Sequence, residues 1–510
     1  MNLVQGLVSL IGAGPGDPGL LTVKALQRLR EADLIIYDTL ANPEHLKHAK
    51  PGARSHCVGP GFRYKKLSQE KINRLILQEA KKGKHVLRLK GGDPYLFGRG
   101  GEEALFLVAH KIPFEVIPGV TSATGCAAYA GIPLTHRDHN ASVTFLTGHR
   151  AHDKDLDTID WNKIASLKGA LAVYMGFYNL EKIAVHLLSG GMSRRTPVAV
   201  VEWGTLPRQR SCEGTLADIA RRVRDAGLKA PCMIFIGDVV RLRTQLNWFE
   251  RLPLFSKKVV ITRMREKADT FAEKFRQLGA RVIEFPVIEI VKKADTVSLD
   301  RALRSLSDYD WLCFTSAYGV QAFFERLQAL GKDARALGGL KIACVGPQTN
   351  NALQNYGVKA DLQPARFETS ALAQEFKKKG LGRGKLFLLP RADIAPNELE
   401  KALQKCGART HRVAVYQTRP TRIPKGKVKE LLRLEPDFVT FTSASTVDHF
   451  VRAVGLQNVR RLGKKTIFAS IGPVTSRALK KYGLKTRCQA RTFDTEGLVA
   501  AVQRTAAVRR

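Results

Sequence analysis

Two glycine-rich segments in the first half of the chain have the composition of ligand-binding loops. Residues 12–17 read GAGPGD between a strand-like and a helix-like run, and residues 90–103 read KGGDPYLFGRGGEE, with five glycines and three acids. Glycine exposes the backbone to a ligand, and the Asp93 carboxylate could accept hydrogen bonds from ribose hydroxyls or an amine. The second segment is the stronger indication, because a plain connecting loop seldom needs two glycine pairs and three acids.

The first segment matches a dinucleotide-binding turn only in part. Gly12 and Gly14 occupy the first two glycine positions of a GxGxxG motif, but Asp17 stands at the third. An acid at that helix N-terminus repels a pyrophosphate, and Pro15 lacks the amide proton that a phosphate nest would use. The pattern disfavours a dinucleotide, and with it a nicotinamide-dependent oxidoreductase, while a turn that binds no ligand stays open.

The elements that would position these segments alternate between strands and helices. Apolar, β-rich runs at 4–11 and 34–38 flank a run at 20–32 in which apolar residues recur at helical spacing. Two later strand-like runs, HVLRL and FEVIPG, also end in glycine-rich loops. This alternation predicts an α/β fold whose parallel sheet carries ligand-binding loops at the carboxyl ends of its strands.

The second half of the chain contains an internal repeat. The segment CFTSAYGVQAFF at 313–324 matches TFTSASTVDHFV at 440–451, and residues 342–364 match residues 468–490. The repeat predicts two similar α/β lobes, each with a strand–TS–helix and a strand–GP–helix element. This half shows no constellation of catalytic residues, but its hydroxyls and helix N-termini at strand ends suit the binding of carboxylates.

The formal net charge of +37 is the one extreme property of the composition. It admits a nucleic-acid partner, but the 83 basic residues are spread along the chain without a basic tail, and a polyanionic small substrate would be served equally well.

Cysteine and histidine spacing and the length of the apolar runs exclude several classes of protein. The eight cysteines form no CxxC pair and the twelve histidines no HExxH motif, which argues against a metal site and for thiols in a reducing cytosol. Apolar runs fall short of the ~18–20 residues that span a bilayer, and the N-terminus lacks the features of a signal peptide. We therefore expect a cytoplasmic protein without a metal or a membrane partner.

The motifs of the first half resemble those of uroporphyrinogen-III C-methyltransferases. Residues 4–250 contain, in the order and spacing of that family, GAGPGDPGLLT, the YD of LIIYD, LKGGDPYLFGRGGEE, AGIPLTHRD, TGH, YMG, VEWGT followed by QR, and LNWF. The resemblance implies the tetrapyrrole methylase fold, in which two α/β domains enclose S-adenosylmethionine, and a homodimer formed through this half. The PLTHR and VEWGT–QR segments speak against a methylase that acts on a later corrin intermediate.

The resemblance also implies roles for individual residues of the first half. Asp38 would be the proton acceptor of methyl transfer. Pro60 stands where the family has a lysine proposed as proton donor. Either Arg63, Lys65 or Lys66 of the same loop replaces that lysine, or the lysine is dispensable, or the reaction is slowed, and we expect activity to be retained. The contacts with S-adenosylmethionine would be made by Pro15, Gly91, Gly92, Asp93, Leu96, Thr121, Ser122, Met175 and Gly204. The candidates for pairing with substrate carboxylates, each a surface charge if taken alone, are Arg88, Lys90, Arg99, Arg137 and Arg150.

Residues 257–503 resemble uroporphyrinogen-III synthases, a family of weak overall sequence similarity. The resemblance rests on ITR near the start, VYQT at 415–418, TFTSASTV and SIGPVTSRAL. It implies two lobes joined by a two-stranded ladder, and it matches Tyr416 to the tyrosine proposed to donate a proton to the departing hydroxyl, although a packed tyrosine is an equal alternative. Substrate carboxylates would be bound by Arg263, Thr315, Ser316, Gly346, Arg391, Ser443, Ser445, Gly472 and Thr475.

Both resemblances together predict a bifunctional enzyme of α/β class. Residues 1–252 would be the methyltransferase, with subdomains at about 4–118 and 119–250, and residues 257–510 the synthase. One synthase lobe would comprise 257–289 with 420–510, and the other 293–417. Since the product of the synthase is the substrate of the methyltransferase, we expect the partners to be tetrapyrrole small molecules and not nucleic acid.

Overall fold

The computed structural model describes residues 6–59, 67–148, 159–263, 268–292, 296–366, 369–393 and 395–508. The chain divides into two compact units, one made of Met1–Val259 with Lys274–Val282 and Gln503–Arg510, the other of Val260–Glu273 with Ile283–Val502. The described residues contain four five-stranded sheets covered by helices, which confirms the predicted α/β class. Within these residues, no helix combines the length and apolarity that crossing a membrane requires.

The first sheet is entirely parallel, in the order β3-β2-β4-β1-β5. Its strands are β1 (Val8–Gly12), β2 (Leu34–Tyr37), β3 (Arg54–Cys57), β4 (Val86–Lys90) and β5 (Phe114–Ile117). The helices of this region are α1 (Val23–Glu31), α2 (Gln69–Ala80) and α3 (Gly100–Ala109). Because both faces of the sheet are covered, β1 and β4 are buried along their whole length, as continuous apolar strands of parallel sheets usually are.

The second sheet is mixed, in the order β6-β7-β10-β8-β9, and only the β6–β7 pair is parallel. Its strands are β6 (Val143–Thr147), β7 (Ala170–Tyr174), β8 (Pro197–Glu202), β9 (Arg210–Thr215) and β10 (Cys232–Ile236). The helices are α4 (Ser122–Ala130), α5 (Trp161–Ser166), α6 (Leu180–Ser189), α7 (Ile219–Asp225) and α8 (Arg243–Leu246). Helix α4 starts directly after the first sheet and packs against β7 and β10 of the second through small residues.

Two further sheets are built from residues after 257. The order is β12-β11-β18-β19-β20 in one and β13-β17-β16-β14-β15 in the other. The strands are β11 (Lys258–Ile261), β12 (Arg281–Glu284), β13 (Ile288–Lys292), β14 (Trp311–Phe314), β15 (Lys341–Cys344), β16 (Leu386–Ala392), β17 (Arg409–Pro420), β18 (Phe438–Phe441), β19 (Ile467–Ser470) and β20 (Thr486–Gln489). The longest of them, β17, pairs with β13 in antiparallel and with β16 in parallel orientation.

The repeated segments of the second half occupy equivalent places in these two sheets. The helices of this region are α9 (Ala268–Gln277), α10 (Val297–Arg304), α11 (Ala317–Ala329), α12 (Pro347–Gln354), α13 (Thr369–Lys378), α14 (Glu398–Lys405), α15 (Lys425–Leu434), α16 (Ala444–Val454), α17 (Leu456–Leu462), α18 (Pro473–Lys481) and α19 (Thr495–Ala507). The TS segments connect β14 to α11 and β18 to α16, and the GP segments connect β15 to α12 and β19 to α18. Each sheet therefore presents two helix N-termini at the carboxyl ends of neighbouring parallel strands.

Candidate functional site

The two glycine-rich segments of the first half form one continuous surface. Gly14 donates its amide hydrogen to Gly92 O at 3.2 Å, and Gly92 donates to Gly14 O at 2.8 Å. The amide of Ala13 also donates to Lys90 O at 2.7 Å. Gly14 and Gly92 have φ values of +76° and +67°, where a side chain would be strained. Both loops are thus fixed to each other at the carboxyl ends of β1 and β4.

Close backbone contact explains a further glycine in the first segment. A Cβ atom at Gly12 would lie 2.5 Å from the Cα of Gly119 and 2.6 Å from the carbonyl oxygen of Gly92. The three glycines meet at the ends of β1, β4 and β5, and no side chain fits between them. At these positions glycine serves the assembly of the loops as well as any ligand.

Asp17 has a structural role that the sequence did not reveal. Its carboxylate accepts a hydrogen bond from the Tyr129 hydroxyl at 2.6 Å and one from the Gly19 amide at 2.8 Å. Its own amide donates to Thr205 Oγ1 at 3.0 Å. Tyr129 and Thr205 belong to the second-sheet region, so Asp17 joins the first glycine loop to that region. The acid that interrupts the dinucleotide motif is therefore hydrogen-bonded within the protein and holds two parts of the first half together.

Most of the predicted cofactor contacts meet around the N-terminal part of α4. The Pro15 ring packs so closely on Gly125 that a Cβ there would lie 2.5 Å from Pro15 Cγ, and Gly204 packs against Cys126. A Cβ at Gly92 would lie 3.4 Å from the Ser122 hydroxyl. Pro15, Gly92, Ser122 and Gly204, which lie far apart in the sequence, thus surround a single helix start.

Tyr174, which sequence reasoning did not single out, organises the same region. Its hydroxyl lies 2.6 Å from Thr121 Oγ1 and accepts from the Ala123 amide at 3.1 Å. The ring packs 4.9 Å from that of Phe97, and Leu96 packs against the apolar cluster that contains Tyr174. The signal was its place in the YMG motif, directly before the predicted contact Met175.

Met175 and Asp93 differ in how freely they could meet a ligand. Met175 has a φ of +53° and is 49% exposed, which is unusual for a large apolar side chain beside a buried strand. Both carboxylate oxygens of Asp93 accept backbone amides, Oδ1 that of Tyr95 at 2.8 Å and Oδ2 that of Gly119 at 3.1 Å. Asp93 therefore also holds the second glycine loop in place. Gly91 packs against Leu40, because a Cβ added at Gly91 would lie 3.1 Å from Leu40 Cβ.

Asp38, the predicted proton acceptor, belongs to a charged cluster that is mostly buried. Arg88 Nη2 donates to Asp38 Oδ1 at 2.6 Å and Arg88 Nε to Glu103 Oε1 at 3.1 Å, and Lys90 Nζ donates to the same Glu103 oxygen at 3.0 Å. The Asp38 side chain is 30% exposed, whereas those of Arg88, Lys90 and Glu103 are 2%, 4% and 1% exposed. We call these four residues the charge cluster.

The charge cluster corrects the interpretation of two basic residues. Arg88 and Lys90 are not surface charges, because both pair in the interior with Glu103, which the sequence did not indicate as a partner. Burial opposes the charged form of each group. Even so, Arg88 and Lys90 hold the pKa of Glu103 below its usual range, and Glu103 with Asp38 raises the pKa of Arg88. The pKa of Lys90 is lowered by burial and by Arg88.

Arg99 and Arg137, the other described cations predicted for the first half, are not members of the charge cluster. Arg99 is exposed and pairs with Glu102 at 2.6 Å, and Arg137 is exposed. Five residues named in the sequence analysis lie outside the described part of the chain: Pro60, Arg63, Lys65, Lys66 and Arg150.

Tyr416 lies within the long strand β17 and not at a strand end. It is 9% exposed, and its hydroxyl oxygen is 3.2 Å from Ser316 Oγ at the start of α11. The ring of Tyr318 packs 5.0 Å from it. Burial raises the pKa of Tyr416, so the phenol keeps its proton in neutral solution. A buried, protonated phenol beside a hydroxyl is a chemically reasonable proton donor.

The predicted carboxylate-binding groups of the second half occupy matching helix starts. Ser316 accepts the Gly319 amide at 3.0 Å, and its repeat partner Ser443 accepts the Thr446 amide at 3.2 Å and lies 2.9 Å from Ser445 Oγ. Thr315 is partly exposed before α11, and Gly346 and Gly472 are the N-caps of α12 and α18. Thr475, by contrast, is only 2% exposed, so its hydroxyl does not face solvent.

The two predicted arginines of the second half differ in environment. Arg391 is 4% exposed, and its Nη1 donates to Glu400 Oε2 at 2.7 Å and to Pro396 O at 2.9 Å. Its guanidinium is thus engaged with the chain beside the strand that carries Tyr416. Arg263 follows β11 and is half-buried, and this burial lowers its pKa while the charge of Glu496 opposes the change.

The eight cysteines, all within the described residues, form no disulfide, and six of them are buried. Burial raises the pKa of Cys126 and Cys232 to about 12, which makes both unreactive at neutral pH. Cys126 and Cys232 therefore serve as apolar core residues and not as nucleophiles.

Comparison with known proteins gives a family for each half of the chain. The profile of the tetrapyrrole (corrin/porphyrin) methylases matches residues 7–220, and that of the uroporphyrinogen-III synthase HemD matches residues 269–500.

Among its relatives, this chain matches one over nearly its whole length and another over about two thirds of it. The porphyrin biosynthesis protein HemD of Ruminiclostridium josui is 37% identical over 483 residues, which is 94% of either chain. The uroporphyrinogen-III C-methyltransferase of Bacillus subtilis is 39% identical over 360 residues, covering 70% of this chain and 73% of the relative. Among solved structures, the uroporphyrin-III C-methyl transferase of Thermus thermophilus in complex with S-adenosylhomocysteine is 39% identical, with a TM-score of 0.41, and covers 46% of this chain and 100% of its own. The chain therefore belongs to the family of its full-length porphyrin-biosynthesis relative, as a fusion of a tetrapyrrole methylase with a uroporphyrinogen-III synthase of the HemD family.

Proposed function

We propose that this chain is a cytoplasmic enzyme of tetrapyrrole biosynthesis that catalyses two consecutive reactions. The second half closes hydroxymethylbilane to uroporphyrinogen III with inversion of ring D. The first half then methylates uroporphyrinogen III twice to precorrin-2, on the branch to sirohaem and cobalamin. The observation that carries the proposal is the presence of both families in one chain, since the product of the synthase is the substrate of the methylase.

The residues around α4 fit S-adenosylmethionine as the methyl donor. The cofactor supplies a methyl group on a positively charged sulfonium. Exposed Met175 and Phe97 offer apolar surface for a nucleoside beside the two loops, which are held together by the hydrogen bonds between Gly14 and Gly92. Pro15, Gly91 and Gly92 would contact it from the glycine loops. The other contacts proposed are Asp93, Leu96, Thr121, Ser122, Met175 and Gly204.

The reaction asks the methylase half mainly to position its substrate and to accept a proton. An electron-rich pyrrole carbon attacks the methyl group in line. That carbon already bears a side chain and has no hydrogen, so the cationic ring then loses a proton from its nitrogen or from the adjacent methylene bridge. Asp38 is the proposed acceptor, because its carboxyl group pairs with Arg88 and it is the most exposed member of the charge cluster. Arg88 fixes the orientation of the Asp38 carboxylate through a 2.6 Å hydrogen bond.

The synthase half would fold the linear substrate and assist departure of its hydroxyl. Tyr416 donates a proton to that hydroxyl, which leaves as water, and Ser316 holds the phenol in position. The N-termini of α12 and α18, with the hydroxyls of Ser443 and Ser445, bind substrate carboxylates through their partial positive charge and hydrogen bonds. The same carboxylate-binding role is proposed for four further residues: Thr315, Gly346, Gly472 and Arg263. It is also proposed for Arg391 and Thr475, but both are buried and reach the substrate only if their surroundings rearrange.

We further propose a homodimer formed through the methylase half. Leu105 and Val108 lie one turn apart on α3 and are 71% and 58% exposed. Covering such apolar side chains is a common function of subunit interfaces. Light scattering should give a mass of two chains, and replacement of both residues by glutamate should reduce it to one.

Supplying hydroxymethylbilane and S-adenosylmethionine to the purified protein tests both reactions together. Absorbance should show trimethylpyrrocorphin or precorrin-2, and one protein should suffice. Asp38→Asn should stop methylation while uroporphyrinogen III still forms, and Tyr416→Phe should slow only its formation. Failure of the wild-type protein to consume S-adenosylmethionine with uroporphyrinogen III would contradict the methylase assignment.

A further inference from the structure

The charge cluster contains two groups for which the proposed methyl transfer has no use so far. Asp38 accepts the proton and Arg88 orients it, but Lys90 and Glu103 are 4% and 1% exposed and are too deeply buried to meet a tetrapyrrole. Burying an ammonium and a carboxylate costs several kcal/mol each unless they are well paired. Such a pair beneath a candidate catalytic base calls for an explanation beyond stability.

One oxygen of Glu103 connects the members of the charge cluster. Oε1 accepts from Arg88 Nε at 3.1 Å, from Lys90 Nζ at 3.0 Å and from Gln69 Nε2 of α2 at 2.9 Å. Oε2 is buried and has no hydrogen-bond partner among the described residues. Because both cations share Oε1, the position of the Arg88 guanidinium, and through it that of Asp38, depends on Glu103 and Lys90.

The formal charge of the cluster is balanced only while Asp38 is ionised. Arg88 and Lys90 contribute two positive charges, and Asp38 and Glu103 contribute two negative ones. When Asp38 accepts a proton, the cluster acquires one net positive charge in a region of low dielectric, which is unfavourable. Among the described residues, the exposed pair at the start of α3, Arg99 and Glu102, also carries charge close to the cluster, and its two charges oppose each other.

We propose that Lys90 and Glu103 are positioning residues of methyl transfer, which set the orientation and proton affinity of Asp38 by acting through Arg88. In the step concerned, the N–H bond of the methylated ring or a C–H bond of the adjacent methylene bridge breaks. Its electron pair returns to the cationic ring, and the proton moves to Asp38, which later releases it to water. Removal of Lys90 or Glu103 changes the charge that faces Asp38 in opposite directions. The inference rests on the proposed methyltransferase function.

Two single variants and their combination test this proposal through the pH dependence of kcat/KM with uroporphyrinogen III. Lys90→Met removes a positive charge, so Asp38 binds its proton more tightly. The acid limb of the kcat/KM profile, where activity is lost as Asp38 is protonated, should therefore move to higher pH by about one unit. Glu103→Gln removes a negative charge, so the acid limb should move down by about one unit and kcat should fall several-fold. The variant that carries both changes is again balanced, and its acid limb should return to the wild-type position.

A purely structural role would not give shifts of opposite sign that cancel. Glu79→Gln is the matched control: Glu79 is also nearly buried and pairs with three cations, but it is remote from Asp38 in the hydrogen-bond network. It should lower stability and leave the acid limb unchanged. Calorimetry with S-adenosylhomocysteine shows that each variant keeps its cofactor site.

The possible outcomes separate the inference from the function on which it rests. Wild-type protein that does not methylate uroporphyrinogen III refutes both. The inference alone is refuted if the wild-type protein is active but the acid limbs of the two single variants stay at the wild-type position or move in the same direction. If Glu103→Gln does not fold, the inference still requires two results. The acid limb of Lys90→Met must lie at higher pH than that of the wild type, and the acid limb of the double variant must lie at the wild-type position.

Discussion

Replacing Gly12 by alanine tests whether the two glycine loops depend on a contact that no side chain can enter. The added Cβ would lie 2.5 Å from Gly119 Cα and 2.6 Å from Gly92 O, about 1 Å inside the ~3.5 Å at which carbon atoms pack best. Both neighbours are backbone atoms, so relief requires the loops to separate by about 1 Å. Overpacking of this kind costs about 1–3 kcal/mol.

Cofactor affinity should respond more strongly than stability, because the displaced atoms are those that would hold the nucleoside. Misplacement of positioning groups by ~1 Å can cost ~100-fold, so we expect Gly12→Ala to bind S-adenosylhomocysteine about 100-fold more weakly in calorimetry. A loss of about 2 kcal/mol should lower the melting temperature by about 5 °C.

Gly101→Ala is the matched control for this experiment. Gly101 belongs to the second glycine-rich segment, has an ordinary φ, and a Cβ there would meet no atom within 4 Å. It lies in the first turn of α3, where alanine is favoured by about 0.5–1 kcal/mol, so affinity should be unchanged and melting equal or higher. Unaltered binding and melting of Gly12→Ala would refute the reasoning. Weak binding by Gly101→Ala would show that the ligand itself needs the bare backbone.

Three further predictions concern single side chains. Glu79→Gln should cost about 1 kcal/mol at pH 7, because hydrogen bonds from Lys82 and Lys84 lower the pKa of this carboxyl from 4.5 to about 2. That stabilisation is complete above about pH 4.5 and lost as the pH falls towards 2, so the difference in melting temperature between variant and wild type should narrow over this range. Tyr416→Phe should slow uroporphyrinogen III formation by about 100-fold, measured by chromatography of the products, while methylation of supplied uroporphyrinogen III is unchanged. Tyr129→Phe removes a hydrogen bond to a carboxylate of the first glycine loop, so thermal unfolding should show a loss of about 2 kcal/mol.

The parts of the fold that the sequence predicted are those governed by short-range pattern. The alternation of apolar runs with glycine turns predicted the α/β class, which is confirmed. It also predicted loops at the carboxyl ends of parallel strands, where the segments at 12–17 and 90–103 lie, but not the hydrogen bonds that join these two segments. The mixed order of the second sheet was not predicted, because antiparallel and parallel strands carry the same apolar signal. Strand order depends on contacts between residues far apart in the chain.

The charged residues of the candidate site illustrate the same limit. Arg88 and Lys90 alternate with leucines in β4, but whether such side chains are surface charges depends on a neutralising partner on another element. That partner, Glu103, is one of two adjacent glutamates on α3, and only the three-dimensional structure distinguishes the buried one from exposed Glu102. In the same way, nothing local indicates that Asp17 binds Tyr129, 112 residues away.

The link from Asp17 to Tyr129 and Thr205 has a consequence for how the protein matures. The loop at 12–17 needs β4, then α4, and finally residue 205 before all of its hydrogen bonds exist. A nascent chain therefore cannot complete this loop until some two hundred residues have left the ribosome. A ligand that requires the finished loop stabilises only the fully assembled methylase half, by mass action. Protection by S-adenosylhomocysteine against proteolysis should accordingly appear all at once as the chain is lengthened, and not in proportion to length.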